Sequence, residues 1–170
     1  PDPPAQQRDE ALRTYARAVR LAEQGKQRQT VPLFEKVLEV LPAHVDARRN
    51  LAMAHLESGD PEKAKELLVQ TLRLDPRDAW ACLLLGNIHT QAGNVDLAMQ
   101  LFDRAAALSP RDPLIAANYG AALAMQKRTE EAREQFLRAI EMGPDHPNSY
   151  YGLAQIAYND GDYRLAVTSL

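Results

Sequence analysis

Cysteine occurs once in these 170 residues, at Cys82, so no disulfide can form within the chain, and cysteine usage leaves the compartment open, with the cytoplasm favoured. No run of about eighteen apolar residues occurs, which excludes a membrane-spanning helix and membrane insertion. A net charge of −3 lacks the concentrated basic face that neutralises phosphates, so neither nucleic acid nor an anionic membrane surface is an expected partner. Glycine-rich phosphate loops, a nucleophile elbow and Cys/His clusters at metal-ligand spacing are missing as well. No catalytic residue, metal or cofactor is therefore expected, and the chain is read as a soluble protein that is not an enzyme.

What the chain does have is apolar matter and a period. Hydrophobic residues make up 45% of it and charged residues 25%, enough for a continuous core and against disorder. Pro42, Pro76, Pro110 and Pro144 each fall 34 residues apart. The same step relates Gly25, Gly59 and Gly93 and, after one omission, Gly161. It also relates Phe34, Leu68, Phe102 and Phe136, and Ala64, Ala98, Ala132 and Ala166. A period of 34 residues spanning two helical patterns predicts an array of helix-turn-helix repeats.

Within residues 79–112 the pattern reads Cys82-x2-Leu85-Gly86-x2-His89, followed by Ala98, Phe102, Ala105 and Pro110. Over four registers it resembles the tetratricopeptide-repeat family, in which a bulky residue, Leu-Gly and an aromatic residue precede Ala, Phe, Ala and Pro. The resemblance implies an all-α fold, a right-handed superhelical solenoid of antiparallel helix pairs, and a non-enzymatic scaffold for protein or peptide partners. Because the family is often fused to transferases, hydroxylases and peptidases, it also implies an alternative: a recognition or oligomerisation arm of a larger multidomain enzyme.

Three prolines in the first four residues cannot enter a helix interior, so residues 1–8 are assigned as a linker or disordered N-terminus. The first helix is expected from about Asp9, a candidate cap, to Gln24, ended by Gly25. Residues 9–44 form a degenerate first repeat: Arg17 holds the slot of Leu51, Leu85, Tyr119 and Leu153, and Thr30 that of Ala64. Such a departure suits an end-capping repeat without an upstream neighbour. Pro32 is expected in the first turns of the second helix, where a missing donor is tolerated. Repeats 2, 3 and 4 cover 45–78, 79–112 and 113–146. Gly59-Asp60-Pro61 has the residues of an inter-helix turn: a positive φ, a cap and a helix opener. Lys127-Arg128-Thr129 lacks the glycine, so a left-handed residue there would cost on the order of 1 kcal/mol. Repeat 5, residues 147–170, stops inside its second helix, so further repeats, another domain or self-association through that C-terminal edge is expected to cover it.

In each first helix the core is expected to follow Arg48, Leu51, Ala52 and His55, with small residues at Ala52, Gly86, Gly120 and Ala154 where helices cross closely. His55 and His89 share one slot and His44 and His146 another, in the loop between repeats. Equivalent slots lie roughly 8–10 Å apart, too far to share a zinc, so all four are expected to be packed, satisfied residues. Cys82 is expected as a small buried hydrophobe, and Glu130-Glu131 and Asp160 with Asp162 as carboxylates that complement helix dipoles.

The helix face displaced by a part-turn from that core should line a concave groove. It includes Asn50 and Met53; Trp80, Leu83 and Asn87; Ala117, Asn118 and Ala121; and Asn148, Tyr151, Gly152 and Gln155. Exposed apolar area with aromatic anchors marks a binding site, and carboxamides can hold a peptide backbone. The candidate partner-binding groove is therefore Asn50, Met53, Trp80, Leu83, Asn87, Asn118 and Tyr151, suited to an extended peptide or an amphipathic helix. Chaperone-binding members of the resembled family clamp a C-terminal carboxylate with basic residues and asparagines. Asn87 and Asn118 match those slots, but Leu83, Asn148 and Gly152 stand where bases are needed, so no such clamp is expected.

Overall fold

The computed structural model describes residues 3–144 and 147–161. Among the described residues run nine helices and no strand: α1 (Ala5–Glu23), α2 (Gln27–Val40), α3 (Val45–Glu57), α4 (Pro61–Leu74), α5 (Ala79–Gln91), α6 (Val95–Leu108), α7 (Pro113–Met125), α8 (Thr129–Met142) and α9 (Pro147–Asn159). They form two compact units that part between Leu84 and Leu85, within α5. In the N-terminal unit α1 packs on α2, α2 on α3 and α3 on α4, and α1 also touches α3. In the C-terminal unit α6 packs on α7, α7 on α8 and α8 on α9, and α7 also touches α9.

The core sits on the recurring slots. Phe34, Leu68, Phe102 and Phe136 are buried, and so are Ala64, Ala98 and Ala132 one turn before them. Opposite these lie the small residues Ala18, Ala52, Gly86, Gly120 and Ala154, all buried. A Cβ added at Gly86 would fall 2.9 Å from the Phe102 ring, and one at Gly120 would fall 3.0 Å from Phe136. The missing methyl is what lets α5 rest on Phe102 and α7 on Phe136.

Local chemistry ends the helices where the pattern demands. Gly25, Gly59, Gly93 and Gly161 hold positive φ at the turns, and Lys127 takes the same left-handed conformation at φ 60° without being glycine. Asp60 accepts from the Lys63 N–H at 3.2 Å and Pro61 opens α4, so that turn has the residue roles its sequence requires. At the start of the first helices, one period apart, His44 Nδ1 accepts from Ala47 N at 3.2 Å, Asp78 from Ala81 N at 2.8 Å, and Asp112 from Leu114 N at 2.9 Å. His44 is thus a helix cap rather than only a loop residue; its counterpart His146 lies outside the described residues.

Three expectations shift. The linker is shorter than residues 1–8: α1 starts at Ala5, with the Pro4 carbonyl accepting from Arg8 N at 3.0 Å, so Asp9 lies inside the helix and caps nothing. The Pro3-Pro4 pair lacks only donors that a helix start leaves unused, and Ala5-Gln6-Gln7-Arg8 are good helix formers. Pro32 lies at the sixth residue of α2, past the first turn, and so removes one backbone bond inside the helix. Arg48 is buried as expected, but Nη2 donates to the Pro42 carbonyl while Nε and Nη1 find no partner, and burial lowers its pKa. The second helix of repeat 5 and the edge at Leu170 lie outside the described residues.

Candidate functional site

Each unit carries a concavity where two first helices flank a second helix. In the N-terminal unit Val19, Ala22 and Glu23 of α1, Phe34 of α2, and Asn50, Met53 and Glu57 of α3 line a pocket of about 210 Å³. In the C-terminal unit the residues three repeats on line another: Ala121, Ala124 and Met125 of α7, Phe136 of α8, and Gly152, Gln155 and Asn159 of α9. That pocket measures about 450 Å³ and also takes in Ala117, Asn118, Asn148, Tyr151, Ile156 and Asp160.

The predicted groove residues separate on these surfaces. Asn50 and Met53 line the smaller pocket; Asn118 and Tyr151 line the larger one. Asn87 lines neither, but its Nδ2 donates to Asn118 Oδ1 at 3.2 Å, while Asn118 Nδ2 donates to the Leu114 carbonyl at 2.8 Å. Asn50 Nδ2 donates to the Tyr15 hydroxyl at 3.3 Å. All three carboxamides are therefore already partly engaged, which orients them and leaves each with spare donor or acceptor capacity. Trp80 is half-buried and lines neither pocket. Leu83 is a correction: at 1% exposure it belongs to the core and offers nothing to a partner. It shares a slot with Ala117, 3% exposed, and with Tyr151, 62% exposed, so this slot straddles the border between core and face.

Sequence spacing placed Asn148, Tyr151, Gly152 and Gln155 on the groove face but did not reveal that Phe136 and Met125 join them in the lining of the larger pocket. A Cβ on Gly152 would lie 2.4 Å from Phe136 Cζ, so the ring edge packs directly on the glycine backbone, in the slot where Asn50 stands in the N-terminal unit. Met125, from the last turn of α7, joins the rim and is 66% exposed. Met125 and Tyr151 are the most exposed large hydrophobic side chains among the described residues. The available signal was Gly152 itself, in a slot that holds Ala16, Asn50, Leu84 and Asn118 in the other repeats.

The electrostatics of the two neighbourhoods differ. Among the described residues the larger pocket is lined by no basic side chain, and its Asp160 pairs with Arg133 at 2.7 Å. The smaller one carries Glu23 and Glu57. Arg49, next to Asn50 on α3, is held by Asp46 and by the buried Asp78, each at 2.5 Å. Beyond the pockets, burial and then the Asp103 carboxylate, which accepts from the Tyr119 hydroxyl at 2.5 Å, push Tyr119 up to about 12. Burial also raises Tyr15, with Asp46 adding to it and Arg49 and Asn50 opposing. No group of three His, Cys, Asp or Glu side chains among the described residues could hold a metal ion, and no described helix is long and apolar enough to cross a membrane.

Two family models, both described as tetratricopeptide repeat, match the sequence, one over residues 5–64 and 49–113 and the other over 89–156. No curated protein matches it. Among solved structures, PilF of Pseudomonas aeruginosa is similar with a TM-score of 0.82 at 23% identity, over 95% of this chain and 74% of that one. MamA of Desulfovibrio magneticus RS-1 gives 0.74 at 17% identity, over 95% and 91% of the two chains. A further MamA structure gives 0.71 at 21% identity, over 89% of each. At such identities the likeness shows the fold, an all-α solenoid of helix pairs.

Proposed function

The chain belongs to the tetratricopeptide-repeat family, and on that premise we propose that it is a non-catalytic scaffold that holds a protein or peptide partner on its concave face. The observation that carries this is the larger pocket: an apolar floor, carboxamides around it, and Met125 and Tyr151 exposed at its edge. Exposed anchors of this kind have little use on an isolated surface and much use in an interface, where one buried aromatic commonly contributes 2 kcal/mol or more (about thirtyfold in affinity). The partner is an extended segment or an amphipathic helix rather than nucleic acid, since the described residues of the lining include no basic group to neutralise a phosphate.

Affinity capture followed by measurement of the dissociation constant for the recovered partner tests the proposal. Tyr151→Ala and Asn118→Ala should weaken that constant about tenfold or more, while the exposed α4 variant Lys63→Ala leaves it unchanged. A partner bound equally by all of these variants would place the interaction elsewhere and sink the concave-face assignment.

A further inference from the structure

We infer that the Phe136 pocket is a specificity pocket for one bulky, uncharged side chain, preferably aromatic, projecting from an extended segment of the partner; this rests on the concave-face function proposed above. The inference comes from the corresponding pocket of the N-terminal unit, which has the same phenylalanine in its lining but is smaller. There the side chains of Asn50 and Val19 line the pocket, whereas the corresponding positions in the C-terminal unit are Gly152, which rests on the Phe136 ring and carries no side chain, and the smaller Ala121. The volume rises accordingly from about 210 to about 450 Å³, within the range of pockets that enclose a ligand group.

Charge decides what enters. Glu23 and Glu57 at the rim of the smaller pocket become Met125 and Asn159 at the larger one, and Asp160 is already paired with Arg133. A charged side chain entering this pocket would lose its hydration without gaining a counter-ion from the described lining, an expensive exchange. An aromatic one meets the thioether of Met125, 66% exposed at the rim, a favourable partner for a ring. Asn148 and Gln155 stand exposed at the rim, where each carboxamide offers a donor and an acceptor to a passing backbone without reading its side chains. Selectivity thus falls to the pocket.

The test is a proton–nitrogen NMR titration of the full 170-residue chain with acetylated, amidated glycine pentapeptides carrying one central tryptophan, alanine or glutamate. The tryptophan peptide should shift the amides of Ala121, Gly152 and Gln155, with the alanine and glutamate peptides about tenfold weaker or worse. Ala121→Val, at an exposed position away from the core, should weaken the tryptophan peptide about tenfold while leaving the rest of the spectrum in place. Gly152→Asn should do the same, although its clash with Phe136 makes it the less clean variant. Equal responses to the three peptides, or full binding by Ala121→Val, would overturn the pocket. Shifts confined to Asn50 or Asn87 would overturn it while leaving the concave face as the binding surface. Concentration-dependent shifts of the same amides without peptide would give the pocket to a second copy of the chain and overturn the inference. No shift with millimolar tryptophan peptide would likewise overturn it, and the fate of the concave-face function would then rest on the Tyr151→Ala and Asn118→Ala measurements alone.

Discussion

The pocket over Phe34 in the N-terminal unit and the pocket over Phe136 in the C-terminal unit are built from corresponding residues of the same repeat, yet one is half the volume of the other and ringed by carboxylates. The backbone plan and the aromatic floor are shared. The difference lies in substitutions on the face, among them Val19 against Ala121, Glu23 against Met125, Asn50 against Gly152 and Glu57 against Asn159. A repeat array therefore keeps its core slots constant for stability and places its chemistry in the slots just beside them, where a side chain can change without unpacking the helices.

The largest expected effect tests the shared floor. Phe34→Ala and Phe136→Ala should each cost about 3–5 kcal/mol in denaturant unfolding, since both rings are buried between helices. A loss below about 1 kcal/mol at Phe136 alone would show that its ring belongs to the surface pocket and not to the core. The next effect separates the filled slot from the open one. Gly152→Ala should cost about 1–3 kcal/mol by overpacking on Phe136, despite the better helix propensity of alanine. Asn50→Ala, which loses only the bond to Tyr15, should cost no more than about 1 kcal/mol. Equal losses at the two positions would erase the distinction between the pockets.

A third comparison sets Tyr119 against Tyr15 in alkaline solution. Tyr119 is raised from 10.0 to about 12 in the folded chain, so its contribution to stability is fully present below pH 10 and is lost as pH rises through about 12. Discounted for its partial exposure, that loss is about 1 kcal/mol. Tyr119→Phe should flatten the corresponding part of the melting temperature's fall between pH 10 and 12. Tyr15 is raised as well, but Arg49 and Asn50 oppose the shift, so Tyr15→Phe should flatten it less. The smallest effect lies in the turns. Lys127→Gly should raise stability by less than about 1 kcal/mol, because relief of the left-handed strain is partly offset by the freer unfolded chain. Gly59→Ala, its counterpart in the N-terminal unit, should lower stability by about 1 kcal/mol.

Much of this was legible in the order of residues. The recurrence of Phe34, Leu68, Phe102 and Phe136 named the buried slots, and the small residues facing them named the crossings. Alignment with the turn glycines raised the question of left-handed backbone at Lys127, and the structure has it there at φ 60°. Leu83 was misplaced because helical spacing resolves a face only to the width of one side chain, and its slot lies on the boundary. The start of α1 was misplaced because a proline pair was read as a barrier, although a helix start needs none of the donors that proline lacks.

The sequence by itself determined the helix pairs, the turns and the buried face of each helix, because these depend on residues three, four or 34 positions apart and so repeat along the chain. Tertiary structure alone decided that Gly152 packs against Phe136, sixteen residues away in an adjoining helix, and that Met125 completes the rim. It also decided that Asn87 and Asn118 bond to each other, and that Leu83 is shut in while Tyr151 stands free on the same slot. Pocket depth and side-chain pairing depend on which atoms meet across helices, and a period describes where a residue sits on its own helix without saying what stands opposite.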